Sequence, residues 1–143
     1  MGNPVLYYYW LHREGAAAIR PEIEKYPGYL LEENFKKALT EVLILSVLAE
    51  KECYIGELAD VIAARSKDTL TIIFPYSAVY RLEEAGYIYE VAKRTAPDGR
   101  RRQYLGITSE GKERLELLKE TYCRISRGAQ DVLKGGTVDG TSE

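Results

Sequence analysis

Positive charge in this sequence is concentrated in one short segment. Between residues 93 and 103 there are five cationic side chains and a single acidic one, Asp98, although the whole chain has a formal net charge of −2. The cations are Lys93, Arg94, Arg100, Arg101 and Arg102. Guanidinium groups are weakly hydrated and are attracted to phosphates and to the potential of a nucleic-acid groove. A solvated turn is the plain alternative for such a charge run.

Other reactive side chains are too scarce or too widely spaced to build a catalytic or metal site. His12 is the only histidine, and His12-Arg13-Glu14 imitates the start of a zinc-deaminase motif whose PCxxC half is missing. Cys53 and Cys123 lie far apart with no CxxC pair. We expect both thiols to be free, buried and inert, with a redox-sensing pair as the alternative. The sequence therefore predicts no enzyme, no metal and no cofactor.

One segment imitates a phosphate-binding loop. Residues 106–112 are GITSEGK, which fits the GxxxxGK half of that motif, but Glu113 stands where the magnesium-binding Ser or Thr belongs. A carboxylate there would repel phosphate. We therefore attribute the glycines to a junction between a strand and a helix.

Length and composition indicate one globular domain. The chain has 143 residues, of which 45% are hydrophobic and 29% are charged. The longest uncharged runs, such as residues 70–80, are shorter than the roughly 20 residues of a membrane helix, and the N-terminus lacks a basic region before its apolar stretch. We therefore expect a soluble, cytoplasmic protein with no membrane contact.

Helical spacing of apolar residues predicts three helices before the cationic segment. Residues 1–33 show no period, and we interpret them as an N-terminal arm whose aromatic cluster packs on the body or on a partner subunit. A helix buried nearly all round is expected from Asn34, a second helix over about 55–65 and a third over about 75–85. Residues 70–74 look extended.

After Gly86 the hydrophobic period drops to two, which predicts a β-hairpin. Strict alternation puts Tyr87, Tyr89, Val91 and Lys93 on one face of the first strand, and Ile88, Glu90, Ala92 and Arg94 on the other. Pro97-Asp98-Gly99 supplies turn chemistry, and residues 102–107 return as the partner strand.

The last helix begins near Thr108, whose hydroxyl can cap it, and continues to residue 134, before a flexible tail over 135–143. One face carries apolar residues at heptad spacing: Leu115, Leu118, Tyr122, Ile125, Ala129 and Val132. Because the helix at Asn34 is already apolar all round, we expect this seam to pack on a second copy of the chain. Burial on its own domain is the alternative.

This order of elements is typical of a mainly α fold with a small β-hairpin: a winged helix-turn-helix (34–107) followed by a long C-terminal dimerisation helix (108–134). The inward stripe of the third helix is Ala78, Val79 and Leu82. The candidates for DNA contact are Tyr76, Ser77, Tyr80 and Arg81 on the outer face of that helix, with the cations of the hairpin.

These candidates suit different parts of a duplex. Arg81 is able to grip guanine bidentately, whereas Ser77 and the two tyrosines more naturally contact phosphates. The structural alternatives are an Arg81–Glu84 pair within the helix and tyrosines packed against the hairpin.

From Phe35 to Val132 the sequence resembles the PadR family of bacterial transcription regulators. Four motifs carry the resemblance: LTEVLILSVLAE at 39–50, YIGEL at 54–58, YSAVYRLEEAGYI at 76–88 and DGRRRQYLGITSEG at 98–111. The sequence departs from the family at Ile73 and Phe74, where a small residue and a threonine are common. A usual hydroxyl contact to DNA is therefore not expected here.

The resemblance implies a homodimer that binds a palindromic operator in double-stranded DNA, usually as a repressor, with its two recognition helices about 34–36 Å apart. It also implies release by a small aromatic or lipophilic effector. Tyr122, in the middle of the seam, is the candidate effector residue, with plain interface packing as the alternative. A second class of function stays open, a winged-helix protein-interaction module without DNA binding, because the pI is about 5.6 and because Ile73 and Phe74 replace the residues common in the family.

Overall fold

The computed structural model describes residues 27–72 and 75–136. Within these ranges the chain forms four helices and one two-stranded antiparallel sheet. In chain order they are α1 (Tyr29–Leu48), α2 (Ile55–Arg65), α3 (Tyr76–Glu84), β1 (Ile88–Thr95), β2 (Arg101–Ile107) and α4 (Ser109–Lys134). This is the predicted mainly α winged fold. Our interpretations of residues 1–26, Ile73, Phe74 and the end of the tail lie outside the described residues.

Helix α1 begins at Tyr29, earlier than the predicted start at Asn34. Pro27 and Gly28 form the turn before it, and the amide of Glu32 donates to the carbonyl of Gly28 at 2.9 Å. One lysine, Lys36, reaches back along the helix to Glu32 at 3.1 Å. These contacts stabilise an added first turn, so the last residues assigned to the N-terminal arm are helical.

The core forms around the C-terminal half of α1. Its fully buried side chains are Ile44, Leu45, Cys53 and Leu58. Helices α2, α3 and α4 and strand β2 all pack on α1. The prediction of burial nearly all round is wrong for the first turns of the predicted helix, where Phe35 and Ala38 are exposed; Leu31, in the added first turn, is exposed too.

Helix α3 lies where the sequence predicted it. Pro75 occupies the N-cap, where its missing N–H costs nothing. Gly86 follows the helix with a φ of 81°, and the amide of Tyr87 donates to the carbonyl of Leu82 at 2.9 Å. This closing turn requires the left-handed backbone that glycine adopts readily. The preceding residues Leu70 to Ile72 are in no strand.

The hairpin contains a β-bulge that the sequence did not reveal. The register passes directly from the pair Glu90–Leu105 to the pair Ala92–Tyr104, leaving one residue unpaired. Because adjacent residues of β2 point to opposite faces, Ala92 and Arg94 lie on the face of Tyr104. Strict alternation had wrongly placed them on the face of Glu90.

Helix α4 begins at the cap predicted for it. The Thr108 hydroxyl accepts the Gly111 amide at 3.0 Å and donates to the carbonyl of Gly86 at 2.7 Å. Gly111 is buried, and any Cβ there would collide with the carbonyl oxygen of Tyr87. This close approach explains the second glycine of the GITSEGK segment without a phosphate loop. No helix among the described residues is long and apolar enough to cross a bilayer.

Candidate nucleic-acid interface

The N-terminal end of α3 presents polar and aromatic side chains outward. The predicted inward stripe, Ala78, Val79 and Leu82, is buried. Tyr76 and Tyr80 are 66% and 64% exposed, and Ser77 is exposed beside them. Neither tyrosine ring stacks on another described residue. The alternative that these rings are buried against the hairpin is therefore not observed, although the Tyr76 hydroxyl lies near Arg102.

Arg81 lies at the border of this outer face. Its side chain makes no hydrogen bond or ion pair with any described residue, so the proposed pair with Glu84 is not formed. Its side chain lines a cavity of about 310 Å³ together with Glu41 and Arg114. Arg114 is held there, because its Nε lies 3.0 Å from Glu41 Oε2 and its guanidinium carbon 5.3 Å from the ring centre of Tyr87. Arg81 thus keeps an uncommitted guanidinium.

The β1–β2 hairpin is the wing of the winged helix. Some of its cations also form no ion pair with the described residues. Lys93 pairs with Gln103 in the sheet register, and two residues further along Thr95 pairs with Arg101, so both cations lie on one face. Within residues 27–72 and 75–136, the one side-chain hydrogen bond of Arg101 is from its Nη2 to the carbonyl of Lys93, at 3.3 Å. Arg100 lies in the turn, where its backbone N–H donates to Asp98; its side chain interacts electrostatically with Asp98 but forms no hydrogen bond or ion pair with a described residue.

The other two wing cations are held by neighbours. Arg94 Nη2 lies 2.7 Å from Glu52 Oε1, and the guanidinium carbon of Arg94 lies 5.1 Å from the ring centre of Tyr104. Arg102 Nη2 donates to Asp98 Oδ2 at 2.8 Å. All five predicted cations therefore sit on one hairpin, but they do not have the same surroundings.

The hydrogen bond to Arg102 is the main cause that lowers the pKa of Asp98, with a further contribution from the backbone N–H of Arg100. The same hydrogen bond raises the pKa of Arg102, and the nearby hydroxyls of Tyr54 and Tyr76 add to it. At neutral pH the pair is therefore fully charged. The contribution of Tyr76 also indicates that the start of α3 lies close to the wing.

Residues 52–54, just before α2, contribute two side chains that sequence reasoning missed. The ring of Tyr54 meets the ring of Tyr104 edge-on at 5.6 Å, and Arg102 lies 5.3 Å over Tyr54. Glu52 pairs with Arg94. The YIGEL motif marked Tyr54 only as a family feature, and no spacing in the sequence connects Glu52 to the hairpin.

The heptad seam of α4 is covered only at its beginning. Leu115 is buried and Leu118 is half-buried, whereas the seam from Tyr122 onward is exposed, with Ile125 at 60% and Val132 at 79%. Leu117 and Leu133 are also exposed, although the heptad pattern did not include them. The described part of the protomer thus leaves a long apolar helix face bare.

Tyr122 lines an open, mainly apolar cavity of about 470 Å³. The other lining residues include Leu31, Phe35, Leu39 and Leu70. Two of them, Leu31 and Phe35, are the exposed residues at the start of α1. The candidate effector residue therefore lies where the seam of α4 meets the uncovered half of α1.

The two cysteines differ. Cys53 is fully buried, and burial raises the pKa of its thiol to about 11, so the prediction of an inert thiol is supported. The prediction is wrong for Cys123, which is exposed on α4 because this part of the helix stands clear of the described domain. Among the residues that the structure describes, no three potential ligands cluster to hold a metal ion.

No protein-family model and no curated protein matches this chain. Solved structures do. A PadR family transcription regulator from Clostridium difficile is 28% identical, with a TM-score of 0.55, over 66% of this chain and 98% of that one. A transcriptional regulator from Clostridium thermocellum is 26% identical, with a TM-score of 0.59, over 68% and 96% of the two chains.

A third neighbour, a PadR-like transcriptional regulator from Bacillus cereus, is 23% identical, with a TM-score of 0.59, over 70% of this chain and 96% of that one. The predicted resemblance to the PadR family is confirmed by these neighbours, which share the winged fold and the C-terminal helix. They are transcriptional regulators, a non-enzymatic class, in agreement with the prediction that this protein is not an enzyme.

Proposed function

We propose that this protein is a DNA-binding transcriptional regulator in which α3 enters the major groove and the hairpin contacts the adjoining backbone. The observation that carries the proposal is the exposed, uncommitted set of side chains at the start of α3 and on the wing. Tyrosine and serine hydroxyls there suit phosphate oxygens, and Arg81 suits the O6 and N7 atoms of guanine. The regulators among the structural neighbours support this assignment.

The functional unit in this proposal is a homodimer formed through the bare seam of α4. Apolar faces of this length are seldom left in water by a soluble chain, and a second copy offers an identical face. The two α3 helices would then bind successive major grooves of a palindromic operator, about 34–36 Å apart. We propose repression as the outcome, relieved by a small aromatic or lipophilic effector bound beside Tyr122.

The test is a mobility-shift titration of the full chain against the DNA upstream of its own gene, at several salt concentrations. We expect saturable binding that weakens as salt rises, because phosphate contacts release counterions. Arg81→Gln should reduce the preference for the specific duplex over a scrambled one by about 1–3 kcal/mol. Binding to neither duplex at low salt, together with co-purification of a protein partner, would instead support an interaction module.

A further inference from the structure

The five wing cations divide into two groups whose surroundings fit different tasks. We propose that Lys93, Arg100 and Arg101 contact the DNA backbone, whereas Arg94 and Arg102 are positioning residues that hold the hairpin against the start of α2. This inference rests on the proposed DNA binding. It assigns different roles to the two groups. The sequence does not distinguish these roles, because all five residues carry the same charge in the same short segment.

The positioning pair already has both kinds of partner that a guanidinium seeks. Arg94 has the Glu52 carboxylate at 2.7 Å, and Arg102 has the Asp98 carboxylate at 2.8 Å. Each also lies over a tyrosine ring, at 5.1 Å for Arg94 and 5.3 Å for Arg102. The Nε of Arg102 is buried with no hydrogen-bond partner among the described residues. Because the Nη2 of each arginine already pairs with a carboxylate, a phosphate would have to compete with that partner for the guanidinium.

The partners of the pair connect both strands to one place in the domain. Arg94 in β1 and Arg102 in β2 stand opposite each other in the register, so they share a face. Their rings, Tyr104 and Tyr54, touch edge-on at 5.6 Å. Cys53, beside Tyr54, pairs with β2 through its amide and carbonyl. A hairpin fixed at these points has a defined angle to the body.

The contacting group has none of these attachments. Lys93 and Arg101 lie on the opposite face of the hairpin from Arg94 and Arg102, as the alternating register requires. Their side chains and that of Arg100 are exposed and form no ion pair with a carboxylate of the described residues, although Asp98 lies within electrostatic range of Arg100. The positive charge of these three is therefore uncompensated by a short ion pair and is available to a polyanion.

Two double variants of equal charge test the division. Arg100→Gln with Arg101→Gln removes two charges from the contacting group, and Arg94→Gln with Arg102→Gln removes two from the positioning pair. Each full-length variant is titrated with a fluorescein-labelled duplex of mixed sequence, about 30 base pairs long, across a potassium chloride series. The logarithm of the binding constant falls linearly with the logarithm of the salt concentration. Removing two phosphate contacts should make this negative slope shallower by about 1.8 for each wing. We expect that loss for the contacting variant only.

A second measurement follows the hairpin without DNA. Amide hydrogen exchange over β1 and β2 should become at least several-fold faster in the Arg94/Arg102 variant and stay unchanged in the Arg100/Arg101 variant. Arg102→Lys keeps the charge but loses the planar fork, so it should also exchange faster while keeping the salt slope. Tyr54→Leu should also speed amide exchange over the two strands. Tyr54→Phe keeps the aromatic ring, so its exchange should stay as slow as in the unmodified protein.

The outcomes distinguish a failure of the proposed roles of the five cations from a failure of the proposed DNA binding. Equal loss of slope in both double variants, or unchanged exchange in the Arg94/Arg102 variant, overturns the division of labour. Absence of salt-dependent duplex binding by the unmodified chain overturns the proposed function and, with it, the contacting role of Lys93, Arg100 and Arg101. Hydrogen exchange still decides whether Arg94 and Arg102 hold the wing.

Discussion

Shortening one seam residue should weaken the dimer without unfolding the protomer. Ile125 is 60% exposed in the protomer, so that fraction of its side chain remains to be buried by a partner. Full burial of such a side chain is worth about 2.5 kcal/mol, which makes the remaining part about 1.5 kcal/mol. A two-fold interface contains two copies of Ile125, so Ile125→Ala should weaken the free energy of dimer association by about 3 kcal/mol. This loss raises the dimer Kd by about two orders of magnitude.

Leu117 provides a matched control. It lies on the same helix and is 61% exposed, but at 100° per residue it points about 110° away from the centre of the seam. Leu117→Ala should therefore leave the dimer Kd nearly unchanged. Sedimentation velocity over a concentration series measures both constants, and circular dichroism checks that helix content is retained. Equal effects of Ile125→Ala and Leu117→Ala on the dimer Kd would refute the assignment of the interface to the heptad face.

Three further predictions concern the domain itself. Gly111→Ala should lower the free energy of unfolding by about 1–3 kcal/mol, because the new methyl group collides with the backbone of Tyr87. Gly128→Ala should be neutral or slightly stabilising, because nothing lies within 4 Å of a Cβ at that position. Urea titration of both variants measures the difference. Iodoacetamide at pH 8 should label Cys123 and spare Cys53, whose pKa is about 11, as read by peptide mass; labelling of both at one rate contradicts the burial. Because the pKa of Asp98 is lowered in the folded state, the Asp98–Arg102 pair stabilises the fold above the unfolded pKa of Asp98, and this contribution is lost as the pH falls through the folded pKa. The NMR chemical shift of the Asp98 carboxyl carbon should therefore titrate with a midpoint below 3.8. A midpoint at or above 3.8 would contradict the ion pair.

Much of the fold was predictable because its helices and strands depend on local patterns in the sequence. The boundaries of α3 follow from Pro75 before it and Gly86 after it, and the start of α4 from the Thr108 hydroxyl. Each signal acts within a few residues of its own position. The start of α1 was predicted too late, because the apolar period begins at Phe35 whereas the first turn depends on the preceding turn at Pro27 and Gly28 and on the pairing of Lys36 with Glu32.

The candidate site was predictable in outline and not in its internal arrangement. The clustering of cations on one turn is a property of neighbours in sequence, so the wing could be recognised from the order of residues alone. The partners of Arg94 and Arg102 could not be foreseen, since Glu52 and Tyr54 are far away along the chain. The bulge before Ala92 then decided that Arg94 lies on the face of Tyr104 and Arg102.

By itself the amino-acid sequence determined the order of elements, the position of the positive charge and the apolar seam of α4, since these depend on period, capping and composition over a few turns. Tertiary structure alone decided which cations are held and which are uncommitted, that Cys53 is buried while Cys123 is exposed, and where the seam loses its cover. The physical reason is that burial and ion pairing depend on contacts between distant segments. Such contacts arise only when the chain is packed in three dimensions.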